Sequence, residues 1–448
     1  MSTQVAEFVH ALTLDAVPAA SVEAAITLVN DTLAVGWAGT TAPGIVAARE
    51  LAIAQGGCED ARLWASDVRL PVSEAAFANA AAAAALDYDS VHQGSILHAD
   101  AVVLPAALAV AEMTGASGRD LLAAHIAGVE IAHRLSMATP RRSGWFMSSA
   151  AGVFGAAAAA AKLLGLDVPR TGHALGIALS MSCGTKAAIV ERTLTKRLQT
   201  AFVARAGVQA ALLASRGVTG PSQWLTGPYG WFAVYESGSE ATMTDGLGER
   251  FVFAGTGIKK FPCCLCSHAA IDATLALVRD HALAPEDIEA MAVTISPYMA
   301  RIVGAPYAPA RDPQVTAQFS VQYAVATAAS KRRFTLAEIE EDVCLEPSLV
   351  ARAQGIPVDT DPDWPGETAP ARVTLRARGH APLTKRVDAL PGTAANPMSD
   401  AELEGKFTDC LTRGAAPLSR EQAAAAIRRC RSLPSMRDAR ALLDASPA

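Results

Sequence analysis

The chain has 448 residues, 51% of them hydrophobic and only 18% charged, so it is too long for one compact core and too apolar for a disordered chain. A net charge of −6, with no extended lysine–arginine run, argues against a grip on a nucleic-acid backbone. Its apolar runs are broken by charge, Gly or Pro before about 18 residues, which argues against a membrane span.

The opening stretch MSTQVAEFVHALTLDAV lacks a basic segment followed by a signal-length apolar run. A mature, cytoplasmic protein with reduced cysteines is therefore expected. Ala19 to Trp37 is an amphipathic run ending at Gly39, and Pro43 to Gln55 repeats it, with Gly56-Gly57 as a stop. An extended piece near Leu63 gives way to an alanine-rich helix over 75–86, with Ser73 placed to cap it. A further helical pattern runs from Pro105 to Glu112. Between these two lies DYDSVHQGSILH, which carries Asp87, Asp89, His92 and His98. Titratable groups carried into a break between buried helices must be paired, or they do proton chemistry. The alternative is a set of polar loop residues facing water.

Ser117 and Asp120 fit a capping-box start for a helix carrying His125 and His133, both expected to be packed or surface histidines. Pro140 to Gly155 is a glycine- and serine-rich loop entering a helix that ends at Gly165, and 171–182 forms another helix. Residues 183–199 are expected to be irregular and carry Lys186, Arg192, Lys196 and Arg197. A helix then resumes and stops at Gly217.

Composition changes near Gly255. FVFAGTGIKKFPCCLCSH leads into a helix over 269–281, and IEAMAVTIS alternates as a strand does. Residues 318–330 are helical and 335–343 form a short acidic helix. ARVTLRARGH and APLTKRVDAL pair as a hairpin around Gly379. From Ser399 the pattern is purely helical again. The expected fold is mainly α: an all-helical domain built from residues 1–254 and 394–448, with an α+β insertion at 255–393.

No glycine-rich nucleotide fingerprint is present, so nucleotide binding lacks support. Cys263, Cys264 and Cys266 crowd together, but no second cluster completes a four-ligand zinc site. The six-residue spacing of His92 and His98 is unspecific for a metal. No cofactor or metal is expected. Three stretches offer more: Asp87 with His98, Lys196, and Lys259-Lys260 with His268. Lysines near buried loops anchor small anions. A histidine near neutral pKa moves a proton on carbon, and an aspartate can orient it. The alternative for each lysine is a solvated surface charge.

Together these stretches resemble the MmgE/PrpD family, which includes 2-methylcitrate dehydratase, cis-aconitate decarboxylase and iminodisuccinate epimerase. The resemblance is carried by DYDSVHQGSILHADAVVLPAALAVAE, GVFGAAAAAAKLLGLD, TKRLQTAFVARAGVQAALLASRGVTGP, KKFPCCLCSHAAIDA, QFSVQYAVATAA and PGTAANPMSDAELEGKF, in the family's order. It implies a helical domain of both termini, a smaller α+β lid, a homodimer, and cofactor-free chemistry on small di- or tricarboxylates between body and lid. By motif position, Asp87 and His98 match the family's aspartate and histidine. Lys196 matches the lysine of T-K-[PR]-[LM]-H, Lys259 that of K-[KR]-[FY]-P, and His268 the histidine that follows.

The sequence also departs from the family. Phe146 and Gln199 stand where it has histidines, Val91 (after Ser90) replaces a threonine, and Ala99 replaces a proline. Ile302 stands where the decarboxylase has a tyrosine, with Tyr298 and Tyr307 nearby. Phenylalanine cannot protonate a leaving group or a carbanion, so the pocket near Phe146 is expected to be less polar than usual. The resemblance implies His98 as general base or acid, oriented by Asp87, with Lys196 and Lys259 holding carboxylates and stabilising developing charge. Asp89, Phe146, Gln199, Lys260 and His268 are expected to contact substrate, and lid closure to exclude water. Dehydration by β-elimination ranks first, then epimerisation, then decarboxylation. The alternative of another class is a helical binding protein without catalysis.

Overall fold

Alanine sets the packing. In the helices Val72–Ala83 and Gly152–Leu163 nearly every residue is buried, so these helices are apolar all round, as core helices are. The computed structural model describes residues 2–140, 143–309 and 312–444. The Gly152–Leu163 helix lies at the centre of the mainly α body. It packs against Asp100–Thr114, Gly118–Met137, Val168–Leu179 and Thr195–Ser215. Small side chains let these axes approach closely. A Cβ added at Gly128 would stand 2.6 Å from the carbonyl oxygen of Gly155, and one added at Gly155 equally close to that of Gly128. The C-terminal helices Asp400–Leu411 and Arg420–Arg431 return to pack on Ala19–Gly39, so both ends of the chain share this body.

A four-stranded sheet lies within residues 288–387, in the order Val358–Thr360, Ile288–Ile295, Ala371–Ala377, Leu383–Val387. The first pair is parallel and the others antiparallel, with Met291 opposite Leu375 and Val373 opposite Lys385. Along Ala371–Ala377 the odd-numbered residues are buried, as period-2 alternation requires. The helix His268–Asp280 packs on the last two strands and on Val321–Lys331. The expected strand over IEAMAVTIS and the hairpin around Gly379 are both present.

A short antiparallel pair positions the site. Val91 lies opposite Gly257, and His92 opposite Thr256. This pairing lays the DYDSVH stretch alongside the KKFP stretch, with Lys259 172 residues beyond Asp87.

The boundaries differ from expectation in five places. The helix after Leu70 begins at Val72 with Pro71 at its N-cap and no side-chain cap bond, so Ser73 is already inside it. That helix ends at Ala83 rather than Leu86. The next begins at Asp100 and takes Pro105 into its interior, past the first turn, so one i→i−4 bond of the ladder is missing there. Residues 183–199 are partly helical, because Ala187–Val190 is a short helix and Lys196 and Gln199 belong to Thr195–Ser215. The expected loop over 140–155 contains the short helix Met147–Ala150, while residues 141 and 142 of it lie outside the described residues. The Ser117–Asp120 capping box forms as expected. Among the described residues no helix is long and apolar enough to cross a membrane.

Gly128→Ala is expected to lower stability by about 1–3 kcal/mol through overpacking, against the roughly 1 kcal/mol that Ala gains over Gly inside a helix. Urea unfolding measures the change. An unchanged or raised midpoint contradicts the close approach of the two helices.

Candidate active site

Asp87 sits between two ammonium groups. Its backbone is left-handed, with φ +50°, a conformation aspartate tolerates better than most residues. Lys259 Nζ donates to Asp87 Oδ2 at 3.0 Å and to the Asp87 carbonyl at 2.8 Å. Lys196 Nζ donates to Asp87 Oδ1. All three residues are buried. Burial alone raises the Asp87 carboxyl, but Lys196 and Lys259, with a smaller contribution from His98, hold it far below the usual carboxylate range. Burial also works against the Lys259 ammonium, yet Asp87 and Asp89 outweigh it and raise its pKa.

His98 is oriented by Asp89, two residues beyond Asp87. Its Nδ1 lies 3.0 Å from Asp89 Oδ2, which leaves Nε2 for proton exchange. Burial pushes the Asp89 carboxyl up, but His98, Lys259 and Lys196 bring it below its ordinary value. The backbone N–H of His98 donates to Ser148 Oγ at 3.0 Å, tying it to the segment that carries Phe146.

The backbone under these groups is held by Lys406, from the C-terminal return. Its Nζ donates to the carbonyls of Tyr88 and Lys259 at 3.0 and 2.9 Å. It stands 2.5 Å from Asp31 Oδ1 and 4.0 Å from the Tyr88 ring centre. Burial pushes Asp31 up to about 6 against the pull of Lys406. Gln318 adds a further tie, donating to the Leu86 carbonyl at 2.6 Å and accepting from Arg197.

A cavity opens over this cluster. Asp87, His98, Lys196, Lys259, Lys186 and Cys264 are among its polar groups, with Cys266, Glu367 and Thr368. Val91, Ile96, Phe146, Ile189, Leu265 and Phe319 are among its apolar walls. Tyr298 and Ile302 also line it. Tyr307 is placed differently, stacking on Tyr323 and donating to the Cys344 carbonyl at 2.8 Å.

The fold therefore brings Asp87, His98, Lys196, Lys259 and Phe146 to one cavity and corrects several expected roles. Asp89, not Asp87, orients His98. Asp89 does not line the cavity and works through the histidine. Lys260 lies outside the cavity and pairs with Glu402 at 2.9 Å and Asp272 at 3.7 Å. His268 is wholly buried under the loop, with Nε2 3.3 Å from the Cys263 carbonyl and its ring against Phe261. Burial lowers its pKa to about 3, so it is a neutral packing histidine. Gln199 faces the backbone, accepting from Thr185 N–H at 2.8 Å, and is absent from the cavity lining.

His92 turns away from His98. Its Nδ1 meets Ser95 Oγ, which also lies 2.9 Å from His133 Nδ1. Asp100 takes His125 at 3.0 Å and Ser90 at 2.7 Å, so both helix histidines belong to buried networks. Among the described residues no group of three His, Cys, Asp or Glu could hold a metal ion. Lys186, Lys406 and Ser148 were not identified as site residues from the sequence. Lys186 lay in a stretch expected to be irregular, and no local pattern shows that Lys406 is buried.

The MmgE/PrpD N-terminal domain matches residues 3–244 and the MmgE/PrpD C-terminal domain residues 261–433. The chain belongs to the MmgE/PrpD family. Among its relatives in that family, the cis-aconitate decarboxylase of Mus musculus is 28% identical over 397 residues, 85% of this chain and 80% of that protein. The Homo sapiens cis-aconitate decarboxylase is 28% identical over 399 residues, covering 85% and 81%. That of Aspergillus terreus is 29% identical over 293 residues, covering 61% and 59%. These MmgE/PrpD relatives are enzymes, and they favour the decarboxylase alternative over the dehydration ranked first from sequence.

Asp89 has a lower pKa folded than unfolded, so it contributes stability above the usual aspartate pKa of about 4 that is lost as pH falls. Asp89→Asn is expected to make the acid limb of a stability–pH profile shallower. An unchanged acid limb contradicts the pairing with His98.

Proposed function

We propose that this chain is a lyase that decarboxylates a small unsaturated di- or tricarboxylate of the cis-aconitate kind. The observation that carries the proposal is the cavity itself: one imidazole and a lysine pair line it together with mostly apolar walls. The decarboxylase names of the relatives support the same choice.

Proton requirements favour decarboxylation over dehydration. β-Elimination of water needs a base for the C–H proton and an acid for the departing hydroxide. Among the described residues His98 is the one histidine lining the cavity, and Phe146, which stands where the family has another, cannot serve as its partner. Loss of carbon dioxide breaks a C–C bond, leaves the electron pair on carbon, and needs one proton donor. In this mechanism the departing carboxylate lies against the apolar walls, where water does not solvate its charge. Asp87 holds Lys196 and Lys259 in place, and the net positive charge of the trio stabilises the carbanion. Half-buried Lys186 holds a remote carboxylate. His98 Nε2 then delivers the proton, with Asp89 stabilising the imidazolium. A homodimer, implied by the resemblance, is part of the proposal.

Epimerisation beside a carboxylate also needs only one proton in and out, so it is the second reading. Incubation with cis-aconitate and related acids in heavy water separates the two. Decarboxylation releases carbon dioxide and leaves one deuterium on the product carbon. Deuterium wash-in without carbon dioxide supports the epimerase. Neither signal from any di- or tricarboxylate contradicts both.

A further inference from the structure

The PCCLC stretch places three thiols within four residues, and the fold separates them. Cys263 is fully buried and does not line the cavity, whereas Cys264 and Cys266, two residues apart, both line it. Cys264 is half-buried and Cys266 buried. Cys266 Sγ lies 3.2 Å from the carbonyl of Glu367, across the cavity wall. The backbone N–H of Cys264 is fixed to the Gln318 carbonyl at 2.9 Å. Lys259, which lines the same cavity, adds positive charge. Neither thiol has a part in the chemistry above.

We propose that Cys264 and Cys266 form a two-thiol modification site inside the cavity, which a peroxide converts to an intramolecular disulfide. The attacking sulfur is Cys264. Cys264 is the more exposed of the two, and Cys266 already donates to the Glu367 carbonyl. The neighbouring Cys266 is the largest effect holding the Cys264 thiol below the usual range, against burial and the Asp87 charge and with a smaller contribution from Lys259, while Cys264 and burial push the Cys266 thiol well up. A partly exposed thiol held below its usual range favours thiolate chemistry. The Cys264 thiolate attacks one peroxide oxygen, an S–O bond forms, the O–O bond breaks, and hydroxide leaves to take up a proton as water. Cys266 then gives up its proton and its sulfur attacks Cys264. The S–S bond forms, the S–O bond breaks, and a second water departs. Two thiols are oxidised by two electrons in total, and the peroxide is reduced to two waters. The inference rests on the cavity and not on the reaction carried out there.

The test uses the reduced full-length protein with hydrogen peroxide, quenched by alkylation and digested with trypsin. The peptide Phe261–Arg279 is expected to lose two hydrogens and keep one alkylated thiol, about tenfold faster than the exposed Cys58 and Cys183 are oxidised. Cys263→Ser should leave that loss intact, and Cys264→Ser or Cys266→Ser should abolish it. In Cys266→Ser a sulfenic-acid probe should label Cys264. Alkylation of both Cys264 and Cys266 after the exposed cysteines have been oxidised overturns the proposal, as does a disulfide that uses Cys263. The wild-type mass shift stands even if a variant fails to fold.

Discussion

A carboxylate taken out of water needs compensation, and Asp87 finds it in two lysines from distant parts of the chain. Lys196 begins a core helix, Lys259 follows the strand that pairs with Val91–His92, and both donate to one side chain. Leaving any one of the three alone would strand a buried charge, which costs several kcal/mol. The trio therefore fixes three segments relative to one another. Lys406 extends the constraint to the C-terminus by clipping the carbonyls of Tyr88 and Lys259. An apolar core positions helices to within packing tolerance, whereas this network fixes individual atoms.

The same constraint shapes the chemistry. Asp87 takes one of the two lysine charges, so the cluster presents about one net positive charge rather than two. Asp89 lies beside His98 Nδ1, so Nε2 is the working nitrogen of the proposed chemistry. Phe146 occupies the wall where the resemblance places a second imidazole. One imidazole and largely apolar walls are what the proposed loss of carbon dioxide draws on.

Helices and strands with periodic patterns were legible in the sequence. The Ser117–Asp120 box, the strand over 288–295 and the hairpin around Gly379 depend on local residues alone. So was the set of chemistry-bearing stretches. The assignment of partners was not. Asp87 and Asp89 are equally acidic and two residues apart, and the left-handed backbone at Asp87 decides which meets the lysines. Lys259 and Lys260 are adjacent, yet one is buried against Asp87 and the other reaches Glu402 at the surface. His268 carries the family's motif position but is sealed beneath the loop. These outcomes depend on tertiary register, which no local pattern encodes. Helix boundaries at Ser73 and Pro105 failed for a smaller reason: capping and proline rules describe preferences that packing overrides.

The central claim is that Asp87 and Lys259 are energetically one unit. A double-mutant cycle of Asp87→Asn and Lys259→Met, read by urea unfolding, measures it directly. Asp87→Asn is expected to cost about 3–5 kcal/mol because it strands buried ammonium groups, Lys259→Met is expected to cost less because Asp87 keeps Lys196, and the double variant is expected to cost clearly less than their sum. Additive losses would contradict the account.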